Sequence, residues 1–168
     1  DGIRAERSVL AELRSQADLV VDTSALTIHQ LGHRVRAAFD AERDALRVIV
    51  LSFGFKYGLP VDADLVADLR FLPNPYWVPE LRPHTGKDAV VADYVLGQPR
   101  AEQFLASFTE VLRTVLPGYV AEGKRFATVA IGCTGGKHRS VAMTEELTKI
   151  LASEGFSARA VHRDLGRE

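Results

Sequence analysis

The 168 residues include one cysteine, one methionine and one tryptophan. The lone Cys133 excludes an internal disulfide and any metal site built on several thiolates. It fits a reducing compartment, so a cytoplasmic location is expected. Charge of one sign is also missing. With 22 acidic against 21 basic residues the net charge is −1, which gives no global pull toward nucleic acid or a membrane surface. Any such partner needs a local patch. No run is long and apolar enough to read as a membrane span, and no signal peptide is recognisable, so no membrane partner is expected. The chain begins at Asp1 rather than Met and is already in helical pattern, so it reads as a piece of a longer protein. No internal repeat or low-complexity tract occurs. What is present is ordinary for a globular protein: 46% hydrophobic and 26% charged residues, enough to bury a substantial core.

The pattern along the chain predicts a helix over 3–15, with Ile3, Leu10 and Leu13 as core contacts, and a short strand over 18–22. Thr23-Ser24 offers an N-cap for a helix continuing over 27–39. The charged stretch 40–44 reads as a linker. Residues 1–43 are therefore expected to end one domain or link to it, and 44–168 to form another. Residues 46–53 (LRVIVLSF) are nearly all apolar, as in strands covered on both faces. A weaker strand signal covers 64–69. Four prolines between Phe71 and Gly86 exclude a regular helix or central strand there. A helix over 100–116 carries Phe104, Phe108, Val111, Leu112 and Val115 on one face, with Pro117-Gly118 as its stop. A strand over 126–131, a helix over 140–152 ending at Gly155, and a strand over 156–161 complete the chain. Strands alternating with helices predict an α/β fold with a mainly parallel sheet and flanking helices.

The densest chemistry is the loop GCTGGKHRS after the third strand. Gly135 and Gly136 let successive backbone N–H groups point inward, and the following helix N-terminus adds positive potential. Lys137, His138 and Arg139 add side-chain charge, and Thr134 and Ser140 add hydroxyls. The loop reads as a phosphate cradle, with a plain turn joining strand to helix as the alternative. It is not the nucleotide-binding P-loop, because His138 follows Lys137 and Ile131 stands where the first glycine belongs. The spacing of Cys133, Gly136, Arg139 and Ser140 also matches a tyrosine-phosphatase loop, with Cys133 as thiolate nucleophile and Arg139 as phosphate clamp. That chemistry needs a carboxylic acid for the leaving group, and Asp62, Asp64, Asp68 and Asp88 all qualify. A third reading makes the region purely architectural, an oligomerisation domain that binds no small anion.

A second glycine-rich loop, SFGFKYG, follows the first strand and brings Lys56 and Tyr57. Arg70, Asn74, Arg82 and Thr85 suit a polar phosphorylated ligand. Phe71, Tyr76 and Trp77 read equally as ligand wall or as structural plugs, with Trp77 favoured as a packing anchor. The HQLGH segment carries His29 and His33 one turn apart, but Gln30 replaces the glutamate of a zinc protease motif, so no metal site is expected.

Together SFGFKYG, DAD, R-FLPNP-W, LRP-TG-D, VAIGCTGGKHRS and a late HR resemble the C-terminal half of the RapZ family, bacterial RNase adapter proteins also described as P-loop nucleotide-binding proteins. The segment ADLVVDTS resembles the end of that family's N-terminal domain. The resemblance implies a preceding kinase-like domain that binds and hydrolyses ATP or GTP, whose Walker loop this chain lacks. No cofactor is therefore expected in this fragment. It implies a C-terminal domain similar to part of the phosphofructokinase fold, which senses glucosamine-6-phosphate, binds small regulatory RNA and presents it to an RNase. Phosphate binding would fall on Cys133, Thr134, Gly135, Gly136, His138 and Arg139, with Lys56 from the second loop. A homo-oligomer, an RNA partner and a protein partner are implied likewise. Tyr57 and Tyr76 stand where the best-known member has histidines, and the tail HRDLGRE is less basic than its Lys/Arg-rich counterpart. Lys124, Arg125, Arg159, His162 and Arg163 remain as the set that RNA would contact.

Overall fold

The computed structural model describes residues 2, 3, 6, 9–11, 17, 20–39 and 46–167, except the side chains of 33 and 36–39. The chain divides into two compact units, Asp1–Asp44 and Ala45–Glu168.

In the first unit, residues 2, 3, 6 and 9–11 are helical, but Ile3 and Leu10 are exposed rather than core contacts. Leu13 and the 40–44 linker lie outside the described residues. The strand expected over 18–22 is absent at Val20, Val21 and Asp22. The Asp22 carboxylate instead accepts the Ser24 N–H and shapes a turn. Helix α1 spans Ile28–Phe39. Its cap is Thr27, not Thr23-Ser24. The Gln30 N–H donates to Thr27 Oγ1 while Gln30 Oε1 accepts the Thr27 N–H, a reciprocal capping box that explains why glutamine stands in HQLGH.

The second unit is an α/β layer structure. Its elements are β1 (Arg47–Gly54), β2 (Leu65–Asp68), α2 (Ala89–Leu96), α3 (Pro99–Ala121), β3 (Phe126–Cys133), α4 (Arg139–Ser153) and β4 (Ser157–His162). The four strands are all parallel, in the order β2-β3-β1-β4. β1 and β3 occupy the centre and run in full register, Arg47 opposite Phe126 through Gly54 opposite Cys133. Alternation sorts their side chains. Val48 and Val50 join Val129, Ile131, Leu147 and Leu151 in the main core beneath the helices. Leu51, Phe53 and Ala130 face the other way, where Phe55 and Ala63 from the β1–β2 connection pack on them. Successive connections therefore leave the two central strands on opposite faces. This makes their carboxyl ends the crevice where open α/β sheets hold ligands.

Three expectations need correction. Helix α3 continues through Pro117 to Ala121. The buried Leu112 and Leu116 before the proline, and the partly buried Tyr119 after it, hold this end of the helix on the core. Its stop is Gly123 at φ 80°, with the Lys124 N–H on Tyr119 O and the Gly123 N–H on Val120 O, a Schellman motif. The buried face of α3 is Ala101, Leu105, Thr109, Leu112 and Leu116, whereas Phe104 and Phe108 flank it half-buried and Val111 is exposed. Helix α2 is not apparent from the periodicity. It is a two-turn apolar segment that buries Val91 and Val95 and ends at Gly97, before the proline that opens α3. The proline-rich stretch is irregular, as expected, with one 3-10 turn at Pro75–Trp77.

Candidate functional site

Two loops leave the central strands side by side. The Lys56 N–H donates to Thr134 O, which ties GFKYG to GCTGG. Gly54 and Gly136 meet backbone to backbone: a Cβ on Gly54 would lie 2.6 Å from Gly135 C, and one on Gly136 would lie 2.7 Å from Gly54 N. From behind, Asp164 anchors the first loop. It is fully buried, and its carboxylate accepts the Gly54 N–H at 2.8 Å together with bonds from Arg163 and Arg167. Burial alone pushes this carboxyl up, but those hydrogen bonds outweigh it and hold the pKa below the usual value. The sequence reading missed Asp164. Its only signal is an acidic residue set among Arg163 and Arg167.

In front of the loops lies a pocket of about 400 Å³. Its back wall is Cys133, Thr134, Gly135, Lys137, His138 and Arg139, and Lys56 closes one side. Asn74, Tyr76, Trp77 and Arg82 from the irregular stretch form the rest. No carboxylate is among the described residues that line it.

Arg139 opens α4 and is only 4% exposed. One guanidinium nitrogen donates to Leu72 O at 2.8 Å and Arg70 O at 3.2 Å, and the other reaches Thr134 Oγ1 at 3.4 Å. Its Nε is buried without a partner. Among the described residues no carboxylate forms an ion pair with it: the nearby Asp68 is gripped by Arg70. Burial lowers the Arg139 pKa from its usual value, yet an arginine stays charged. Asp68 attracts this cation only through space; a buried cation with no paired carboxylate is costly, and an anion in the pocket would offset that cost. Cys133 Sγ sits beside it, 3.1 Å from Ser140 Oγ, and accepts the Gly136 N–H at 3.3 Å. His138 Nε2 lies 3.4 Å from Arg82 O, so the loop and the irregular stretch also touch here.

Other sequence candidates lie off the pocket. Gly136 and Ser140 are buried behind its wall. The Tyr57 hydroxyl donates to Arg167 O. Arg70 stacks over Phe55 at 4.0 Å while holding Asp68. Thr85 pairs with Asp88. Trp77, read from sequence as a packing anchor, is 73% exposed and lines the pocket. The basic set assigned to RNA is divided between the two ends of the sheet. Lys124 and Arg125 precede β3, and Lys124 pairs with Asp64. His162 and Arg163 lie at the opposite end. The two ring nitrogens of His162 meet Ser52 and Glu145, and Arg163 grips Asp164. Arg159 is exposed in mid-strand on β4.

A family model for the RapZ C-terminal domain matches residues 46–166, and one for the RapZ-like N-terminal domain matches residues 1–43. The chain belongs to the RapZ family. Similar curated proteins include a nucleotide-binding protein of a Nocardioides species, 62% identical over the whole chain and 56% of the relative's length. Another is a nucleotide-binding protein of Streptomyces griseus, 60% identical over the whole chain and 51% of that relative. The counterpart from Saccharopolyspora erythraea is 61% identical and is covered over 58% of its length. The chain thus spans about half the length of these relatives. No described helix is long and apolar enough to cross a membrane.

Proposed function

We propose that this chain is the ligand-sensing part of a RapZ-family regulator, and that its pocket holds a phosphorylated small metabolite by the phosphate. The observation that carries this reading is Arg139, a buried guanidinium with an unpartnered Nε and no ion pair among the described residues, on the wall of a pocket that also presents Lys56, Lys137 and Arg82. Such a lining favours a dianion, and a guanidinium can meet two phosphate oxygens at once. The resemblance makes an amino-sugar phosphate, glucosamine-6-phosphate, the first ligand to try. Nucleotide binding, which the relatives' names carry, is proposed for the part of those longer proteins that this chain does not match. Small RNA and a protein partner belong to the proposal as responders to the bound metabolite. The basic residues that the resemblance assigns to RNA do not form one patch, since they lie at two ends of the sheet.

Phosphatase chemistry is not part of the reading. The leaving oxygen needs a carboxylic acid within reach, and none of Asp62, Asp64, Asp68 or Asp88 lines the pocket.

The test is a phosphorus NMR titration of glucosamine-6-phosphate with the chain. The ester signal is expected to shift or broaden with no inorganic phosphate appearing. Charge-assisted hydrogen bonds contribute roughly 1.5–3 kcal/mol, so Arg139→Ala should weaken binding about ten- to a hundredfold. Arg139→Gln, which removes the charge but keeps much of the side chain's length, serves if the alanine variant does not fold. Unchanged affinity in a folded variant overturns the reading, and phosphate release that Cys133→Ser removes would replace it with hydrolysis.

A further inference from the structure

We infer that Trp77 is the residue that sets the pocket's specificity, providing a platform on which a ring at the far end of the phosphorylated ligand stacks. The inference rests on the phosphate reading above. A pocket of about 400 Å³ falls in the range of sites for whole small molecules, and the loop and Arg139 account for only one end of a ligand. The other wall is aromatic. Trp77 is 73% exposed, an unusual state for so large an apolar surface, and it faces the same pocket.

The indole is also held in place. The segment around it is a 3-10 turn in which Pro75 is buried, Asn74 Oδ1 accepts the Tyr76 N–H, and the Trp77 N–H donates to Asn74 O. Tyr76 meets Trp77 edge to face, with ring centroids 5.3 Å apart at 84°. Arg82 lies over the Tyr76 ring at 4.8 Å and donates its Nε to Tyr76 O. The row Arg82–Tyr76–Trp77 thus ends on an indole that no cation covers among the described residues. The lining offers no carboxylate to select the distal end of the ligand by charge. Beside the polar groups of Asn74 and Arg82, this wall offers the apolar face of the indole for stacking, and two ring types provide a matching face: the C–H face of a pyranose and the π-face of a nucleobase.

Trp77 is the chain's only tryptophan, so its emission reports this wall alone. The experiment titrates the full chain with inorganic phosphate, glucose-6-phosphate and adenosine monophosphate. Emission is followed in the wild type, and affinity by calorimetry in both the wild type and Trp77→Ala. At least one ring-bearing phosphate should bind more tightly than inorganic phosphate and shift or quench the emission saturably. Trp77→Ala should cost that ligand about tenfold while inorganic phosphate keeps its affinity. Which of the two ligands loses affinity names the ring, and Trp77→Phe should restore part of the loss. Ring-bearing phosphates that bind no tighter than inorganic phosphate overturn the inference and leave the phosphate reading standing. So does a Trp77→Ala loss that is absent, or equal for all three probes. A wild-type chain that binds none of the three overturns both.

Discussion

Arg139 carries a full charge where water reaches almost none of it, and the loop around it is shaped by close backbone contact rather than by side chains. That distinction was partly legible from sequence. Lys137, His138 and Arg139 in a glycine-rich turn read as an anion cradle and lie on one pocket wall, and the ligand candidates Lys56, Asn74, Tyr76 and Arg82 line the same pocket. Tyr57, Arg70 and Thr85 do not, because each finds a nearer partner in Arg167, Asp68 or Asp88. Sequence types cannot show which of two neighbours in FKY or NPYW turns inward, and so Trp77 reads more readily as a packing anchor than as a ligand wall. The glycines give a sharper contrast. Gly54 has φ −105°, which any residue adopts, yet its Cβ would press on the backbone of Gly135. Gly135, one contact away, would place a Cβ no nearer than 4.0 Å to Lys56 Cε. Gly54→Ala should therefore destabilise the fold by about 1–3 kcal/mol and weaken phosphate-ligand binding, whereas Gly135→Ala should leave stability nearly unchanged. Urea unfolding of the two variants checks this. Equal effects would mean that the two loops do not depend on backbone contact.

Strands and long helices were the most legible elements. The β-branched runs gave β1 and β3 within two residues at each end, because burial on both faces of a parallel sheet leaves a continuous apolar signature. Helix α2 was missed because two turns are too few to establish a period. The end of α3 was misplaced because Pro117-Gly118 resembles a stop. Hydrogen bonding decides the matter instead: Gly123 takes the left-handed position and closes the Schellman motif, so the proline is carried within the helix. Gly118 then sits inside a helix with a negative φ and open space around its Cβ position. A glycine in that setting costs about 0.5–1 kcal/mol relative to alanine. Gly118→Ala is expected to raise stability by that amount, read as a higher urea midpoint with unchanged slope. A loss of stability would show that α3 truly ends at Pro117.

At the scale of the whole molecule, the α/β class followed from alternation, but the order β2-β3-β1-β4 did not, because nothing local records which strands become neighbours. The closing residues of the described chain show the same limit. HRDLG reads as a polar tail, yet Asp164 is fully buried and joins the end of β4 to the loop after β1. Its carboxylate is bonded by the Gly54 N–H, Arg163 and Arg167, and these bonds set its folded pKa below the unfolded value of about 3.9. A depressed carboxyl contributes stability that is fully present above the unfolded pKa and is lost as pH falls through the folded one. The wild type should thus lose stability progressively below about pH 4, where the proton enters and the Gly54 anchor weakens. Asp164→Asn keeps the shape but not the charge. It should be less stable at pH 7 by about 1–3 kcal/mol and should show a shallower decline in acid. Thermal unfolding of both proteins from pH 7 to pH 3 decides it. An identical acid slope in the variant would place the acid-sensitive contact elsewhere, and the C-terminal segment would then be a passenger rather than the clasp that holds the first loop against the second.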